Sequence, residues 1–432
     1  MPATTPAPAR TRVPKVRPRA LLRASGGPRY AVALAVDALG TGLLRPFLLL
    51  YGVTVLDLSA FDTGLAMTAG IVLGLLCMPA VGRWLDRGAR STVVAASMLI
   101  RALGVAVLVA TPPGHAWPFT AAALLLGIGN QAWPAAHAAL VATLAHGRER
   151  DAALAAGRAL RNAGMGVGAL LATACLAGGT SALQALAAVT GTAYLAAAAL
   201  ARSVRVCAER PENTAAPSRS AAARDGHPPR MRALLAANVV YVFCLNIPEI
   251  ALPLILLTQL HASPVWSAAI FVANTVLVVV LQVPLTVLMS RYTRRTAMTI
   301  AGVVLAASYA GFLAVTSLAD GDGRTWAAAG VAAVSVVCTL GEIVYTGSAT
   351  ALVTALAPPG ALGRALARFE FSSGFGLAVS PAAITALAPH GPAALWGTLA
   401  AATLVSASAV ATEADPAAPN EQPHATPGPG GA

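Results

Sequence analysis

Gly82-Arg83-Trp84-Leu85-Asp86-Arg87-Gly88-Ala89-Arg90 separates two apolar runs, 61–81 and 91–111. Each run is long enough to span, since about 20 predominantly apolar residues cross the hydrocarbon core of a bilayer. The pattern continues in both directions. Twelve apolar stretches fall near 30–53, 61–81, 91–111, 117–145, 156–178, 182–201, 233–257, 264–289, 296–316, 326–350, 366–388 and 392–412. Only 11% of the residues are charged and 57% are hydrophobic, against about 25% charged in an average soluble domain. The chain reads as an all-α membrane protein with 12 transmembrane helices.

The net charge of +12 invites a nucleic-acid reading, and its distribution excludes one. With a cytoplasmic N-terminus, all 29 basic residues except Arg45, Arg101 and Arg324 lie in or beside cytoplasmic segments. The opposite loops carry Asp57, Asp62, Asp320 and Asp322. This is the positive-inside pattern. It predicts a multi-pass protein of the inner (plasma) membrane with both termini cytoplasmic, and contact of the basic surface with anionic lipid. The first apolar stretch is too long for a signal-peptide core and lacks a small-residue cleavage site, so it reads as the first helix.

Several chemistries drop out. Cys77, Cys175, Cys207, Cys244 and Cys338 form no paired motif, which argues against a disulfide framework or a metal site. Lys15 is the only lysine; without a Walker A lysine the chain hydrolyses no ATP. Neither His-Glu-x-x-His nor Gly-x-Ser-x-Gly occurs, so no enzyme and no cofactor is expected.

Residues 203–231 break the apolar rhythm. Their polar, Pro-containing and Ala/Ser-rich stretch Arg210 to Arg230 reads as a flexible cytoplasmic linker. It divides the chain into six-helix bundles at 30–202 and 232–412, flanked by Pro- and Ala-rich disordered tails at 1–29 and 413–432. The halves echo each other. At one constant offset Ala139-Leu140-Val141 matches Ala351-Leu352-Val353, Gly129-Asn130 faces Gly341-Glu342, and Gly164 faces Gly376. Parallel six-helix repeats about an axis normal to the membrane leave a substrate site between them.

The 82–90 loop resembles that of the major facilitator superfamily, Gly-x-x-x-Asp-Arg-x-Gly-Arg-Arg. Gly82, Asp86, Arg87 and Arg90 match, while Ala89 and Ser91 depart from the pattern. The resemblance implies two pseudo-symmetric six-helix bundles and a conformational latch formed by Gly82, Asp86, Arg87 and Arg90. Helix 1, from Val36 to Phe47, and Trp133-Pro134-Ala135 with Arg158 to Gly164 look like a bacterial exporter-like group. The second-half counterpart, Ser290-Arg291-Tyr292-Thr293-Arg294-Arg295, keeps the bases and lacks the Asp; its arginines read as topogenic. Family antiporters carry Gly-x-x-x-Gly-Pro in helix 5. Here Gly164 to Gly168 lacks that proline, and Gly164 and Gly168, like Ser372, Gly376 and Ser380 in helix 11, form small-residue faces for close helix packing.

Ionisable residues inside apolar stretches are the sharpest functional signal, because each costs at least about 2.5–3.5 kcal/mol at mid-bilayer. Asp37, Glu249 and Glu342 are the candidate proton carriers, with Asp37 foremost; the alternative for Asp37 is a fixed ion pair with Arg101 or Arg161. Arg45, Arg101, Asn130, Trp133, His137 and Tyr345 are the candidate cavity and substrate residues. The expected function is secondary active transport by alternating access: proton-coupled efflux, by a monomer, of a small drug-like molecule or secondary metabolite. An importer of a small nutrient and a transport-dead sensor or scaffold are the rival readings.

Overall fold

A computed structural model describes residues 22–175, 178–203, 231–317, 324–358 and 360–412. Most of the expected tails and linker lie outside the described residues. The described residues form helices and contain no strand, as a bilayer demands of a chain that cannot leave backbone groups unsatisfied. In order they are α1 Gly27–Thr54, α2 Ala60–Asp86, α3 Arg90–Ala110, α4 Ala116–Leu144, α5 Gly147–Cys175, α6 Gly179–Arg202, α7 Arg232–Thr258, α8 Pro264–Met289, α9 Arg294–Ser317, α10 Arg324–Leu356, α11 Leu362–Leu387 and α12 Ala393–Thr412. Ten have the length and apolarity of membrane spans; α4 and α5 fall outside that set, although each runs for 29 residues. Helix α5 starts at Gly147 rather than near 156 because its charged first turns are continuous with the apolar part.

Helix packing repeats on moving six helices along the chain. Helix α1 packs on α5 and α6, and α7 on α11 and α12. Helix α3 packs on α4 and α6, and α9 on α10 and α12; α2 meets α4, and α8 meets α10. The seam between the two groups repeats too: α2 meets α11 as α8 meets α5, and α4 meets α11 as α10 meets α5. Small residues allow these approaches. Gly70 and Gly127 bring the α2 and α4 backbones together, and a Cβ on Gly127 would stand 2.8 Å from the Gly70 Cα.

Two helices are broken at matching places. A 3-10 turn at Arg45–Phe47 interrupts α1, with Pro46 inside it. In α7 a 3-10 segment Val242–Asn246 runs into a π-turn Ile247–Ala251 that holds Pro248 and Glu249. Proline removes a backbone donor and clashes with the preceding turn; π-turns concentrate at functional sites. The outer surface is greasy: Phe61, Leu76, Leu170, Val265 and Val405 are exposed. Trp117 and Trp326 stand exposed at the starts of α4 and α10, where interfacial aromatics sit.

Candidate functional site

The deepest polar cluster lies where α1, α3 and α5 meet. Asp37 is fully buried and takes two guanidiniums: Arg101 Nη2 on one oxygen and Arg161 Nη1 at 3.3 Å on the other. Arg101 is also fully buried; it donates to Ser97 O and Thr41 Oγ1 at 3.4 Å each, and its guanidinium lies 4.5 Å from the Tyr194 ring centre. Two cations around one carboxylate leave one positive charge uncompensated, and the Tyr194 and Trp133 rings share it through cation–π contact. Gly129 makes room for the Arg101 stem, since a Cβ there would meet Ser97 O at 2.7 Å.

A stacked column continues along α4. The Arg161 guanidinium sits 4.1 Å over the Trp133 ring. Trp133 stacks on His137 at 5.1 Å with the planes 3° apart, and Tyr30 OH lies 2.9 Å from His137 Nδ1. Gly157 of α5 is the floor of the His137 site, for a Cβ there would lie 2.7 Å from Nε2. Asn130 Oδ1, Trp133 Nε1 and His137 Nε2 are buried without a hydrogen-bond partner. They recur at helical spacing along one stripe of α4.

The other half presents acids. Glu342 is 8% exposed. It lines a cavity of about 10 Å³ with Cys244, Asn274, Ser335, Cys338 and Thr339, close to the volume one water needs. Glu249 is exposed in the π-turn of α7, and Glu370 is half-buried on α11. Glu249, Glu342 and Glu370 make no hydrogen bond or ion pair with any described residue. Tyr345 is engaged within its own half: it donates to Asn238 Oδ1 at 2.6 Å, and Asn238 donates to Ser372 and Ser373 at 2.8 and 2.9 Å. Arg158 of α5 reaches across the seam to Thr346 O and, at 3.3 Å, to Thr350 Oγ1 of α10.

At the end carrying the basic loops, two contacts tie the halves. Asp86 accepts from Gly363 N at 2.6 Å and from Arg364 Nε at 2.8 Å. Gly82 lies against the α11 start, where a Cβ would meet Ala367 at 2.9 Å. Arg294, which reads as topogenic in the sequence, instead pairs with Asp151 of α5 at 3.0 Å. In both ties the first half supplies the acid and the second half the base. Next to the second lies a cavity of about 390 Å³ lined by Arg148, Asp151, Ser290, Arg294 and Ser348. Arg90 bonds Thr143 within the first half, while the Arg87 side chain is exposed and makes no bond with a described residue.

The small-residue faces meet the broken helices. Gly164 and Gly168 face Ala38 and Leu39 of α1; Ser372, Gly376 and Ser380 face Asn238, Val239 and Asn246 of α7. The structure thus joins Asp37, Arg101, Trp133 and His137 through Arg161, and leaves Arg45 exposed and unbonded to them. Arg161 reads from the sequence as a possible partner of Asp37, and Arg158 and Glu370 read as charges near helix ends. Their signal was that each lies several turns inside a helix that begins in a basic loop.

The Major Facilitator Superfamily profile matches residues 30–381, and again 234–430. The chain belongs to this superfamily. It is a membrane transporter by family and a multi-pass protein by architecture. A bacterial homologue of the iron transporter ferroportin in its outward-facing state has the same fold, with a TM-score of 0.69, 10% identity and coverage of 88% of this chain and 97% of that one. The same homologue with soaked iron gives 0.67 at 12% identity, covering 88% and 97%. The human organic anion transporter MFSD10 (TETRAN) gives 0.65 at 15% identity, covering 91% of this transporter and 100% of its own chain. No curated protein matches. Among the described residues of this transporter, no three His, Cys, Asp or Glu side chains are grouped to hold a metal ion.

Proposed function

We propose that this transporter exports a small, partly apolar molecule in exchange for protons, by alternating access across the inner membrane. In this reading α4 and α5 complete twelve spans, and both termini are cytoplasmic. The units 30–202 and 232–412 rock about the α2–α11 and α5–α8 seams, joined by the 203–231 linker. The protein works as a monomer bathed in anionic lipid.

One observation carries the reading: fixed charges tie the halves at the basic end, whereas Glu342, the buried acid of the second half, is unpaired. A protein built only to hold itself together would pair its buried acids, because an uncompensated buried charge is costly. Asp37, Glu249 and Glu342 remain the candidate proton carriers, and their surroundings divide the work. Glu342 and Glu249 take a proton without breaking an ion pair. Asp37 does so only when Arg101 or Arg161 moves away, which suits a group that responds to substrate rather than one that meets the proton first. Arg45, Asn130, Trp133, His137 and Tyr345 are the substrate candidates, and Arg158, Arg161 and Glu370 join them.

The test compares metabolites retained by cells lacking and expressing the chain, then repeats the comparison with a protonophore. Retention that falls on expression and rises again when the gradient collapses supports the reading. A pattern indifferent to the protonophore would replace it with facilitated diffusion.

A further inference from the structure

More than two turns from any helix end, the charges are sorted by half. Arg45, Arg101, Arg158 and Arg161 lie on α1, α3 and α5. Glu249, Glu342 and Glu370 lie on α7, α10 and α11. Asp37, the acid on α1, is already spent on Arg101 and Arg161. One wall of the seam is therefore cationic and the other anionic. At about 1.5 Å rise per residue, Asn130, Arg161 and Glu342 all lie about 21 Å from the basic end of their helices. Arg158 is within electrostatic reach of both Glu342 and Glu370, and Arg161 of Glu370, yet no ion pair joins either arginine to either acid among the described residues.

Two observations independent of charge point to an absent ligand between that level and the basic end. Trp133 and His137 are 5% and 7% exposed, and each keeps a nitrogen without a partner. Glu342, equally buried, borders a water-sized cavity within its own half, and its side chain makes no hydrogen bond with a described residue. Buried polar atoms in a native protein find partners; here bound solute or water supplies them.

From these, and resting on the transport reading above, we infer that the substrate is zwitterionic: an anionic group turns to Arg158 and Arg161, and an ammonium turns to Glu342 and Glu370. Its body lies at the edge of Trp133, where Nε1 is without a partner. A monocation meets the arginine wall and a monoanion meets the glutamates, so a single charge of either sign is repelled on one side, which is discrimination by the wrong partner's clash. Pairing both ends at once offsets the cost of keeping the two walls' charges buried and unpaired.

The probes are Nε-dansyl-lysine, which carries an ammonium and a carboxylate, its methyl ester, which is a cation, and its Nα-acetyl form, which is an anion. Binding to the full-length protein in lipid nanodiscs is read by dansyl fluorescence. The zwitterion is expected to bind at least about tenfold more tightly than either capped form. Glu342→Gln should bring it down to the level of the acetyl form while leaving the acetyl form unweakened, and Arg158→Gln should do the reverse with the ester. Elution of each variant as a monodisperse peak separates lost binding from lost folding, and Glu370→Gln is the second variant on the acidic wall. Equal or tighter binding of either capped form overturns the inference, as does failure of all three to bind while a singly charged or neutral metabolite is exported. If no metabolite depends on the chain, the transport reading itself has failed.

Discussion

Arg101 and Asp37 form an ion pair in which neither side chain is exposed to solvent. The same carboxylate also accepts Arg161, so α1, α3 and α5 are fastened through one atom group. Removing the carboxylate leaves two buried guanidiniums facing each other. Asp37→Asn should cost about 3–5 kcal/mol, the usual result of breaking a buried pair from one side. Thermal unfolding in detergent should show the loss, and adding Arg101→Gln should recover part of it. If Asp37→Asn is as stable as the parent and its pH-gradient-driven flux in everted vesicles is undiminished, Asp37 is neither a fastener nor a coupling group.

The Asp86 contact holds the basic end shut through a backbone N–H and a guanidinium. Hydrogen bonds to a charged group contribute about 1.5–3 kcal/mol each. Arg364 is 56% exposed, so its share is screened. A net loss of about 1.5 kcal/mol in Asp86→Asn shifts the open-to-closed ratio roughly tenfold. Distances between spin labels on the loops after α2 and α10 should lengthen; an unchanged distribution means the contact is ornamental.

Asp151 and Arg294 make the second tie. Because it uses α5 and α9 while the first uses α2 and α11, the two share no partner. Their effects should add within about 0.5 kcal/mol. The double variant Asp86→Asn, Asp151→Asn should therefore open the basic end about as far as the product of the single shifts. Strong non-additivity in the same label distances would mean that one tie forms only after the other.

Arg45 and Glu249 occupy the breaks in α1 and α7, both exposed, within electrostatic reach and not paired. When the basic end opens and the opposite end closes, these two breaks should approach. Cysteines at both positions should cross-link faster in the Asp86→Asn background than in the parent, by severalfold. The reverse order would mean that the breaks move apart.

Gly127 lies against the Gly70 backbone. Gly127→Val forces α2 and α4 apart, and overpacking of this kind costs about 1–3 kcal/mol or more. Membrane yield and melting temperature should both fall, while Gly88→Ala, in the exposed loop where a Cβ meets nothing, should strain only its positive φ of 86°. Normal yield of Gly127→Val would show that the crossing is looser than its backbone contact implies.

Much of the architecture was legible in the order of residues. Apolar runs of spanning length and the Gly82–Arg90 loop specify helices and superfamily, because the bilayer imposes its thickness on each segment separately. Even so, α4 and α5 fall short as membrane spans by composition. Their polar residues, Asn130, His137, Arg158 and Arg161, face other helices rather than lipid.

Partnership was what the sequence left open. The sequence offers Arg101 or Arg161 as a partner of Asp37, at separations of 64 and 124 residues, and only the crossing of α1, α3 and α5 puts both on it at once. Arg294 carries the composition of a topogenic charge, and only the fold turns it onto Asp151. Hydropathy is a property of each segment in its solvent, so the sequence alone determines it. Pairing of buried charges depends on which helix faces cross, so it was decided by tertiary packing.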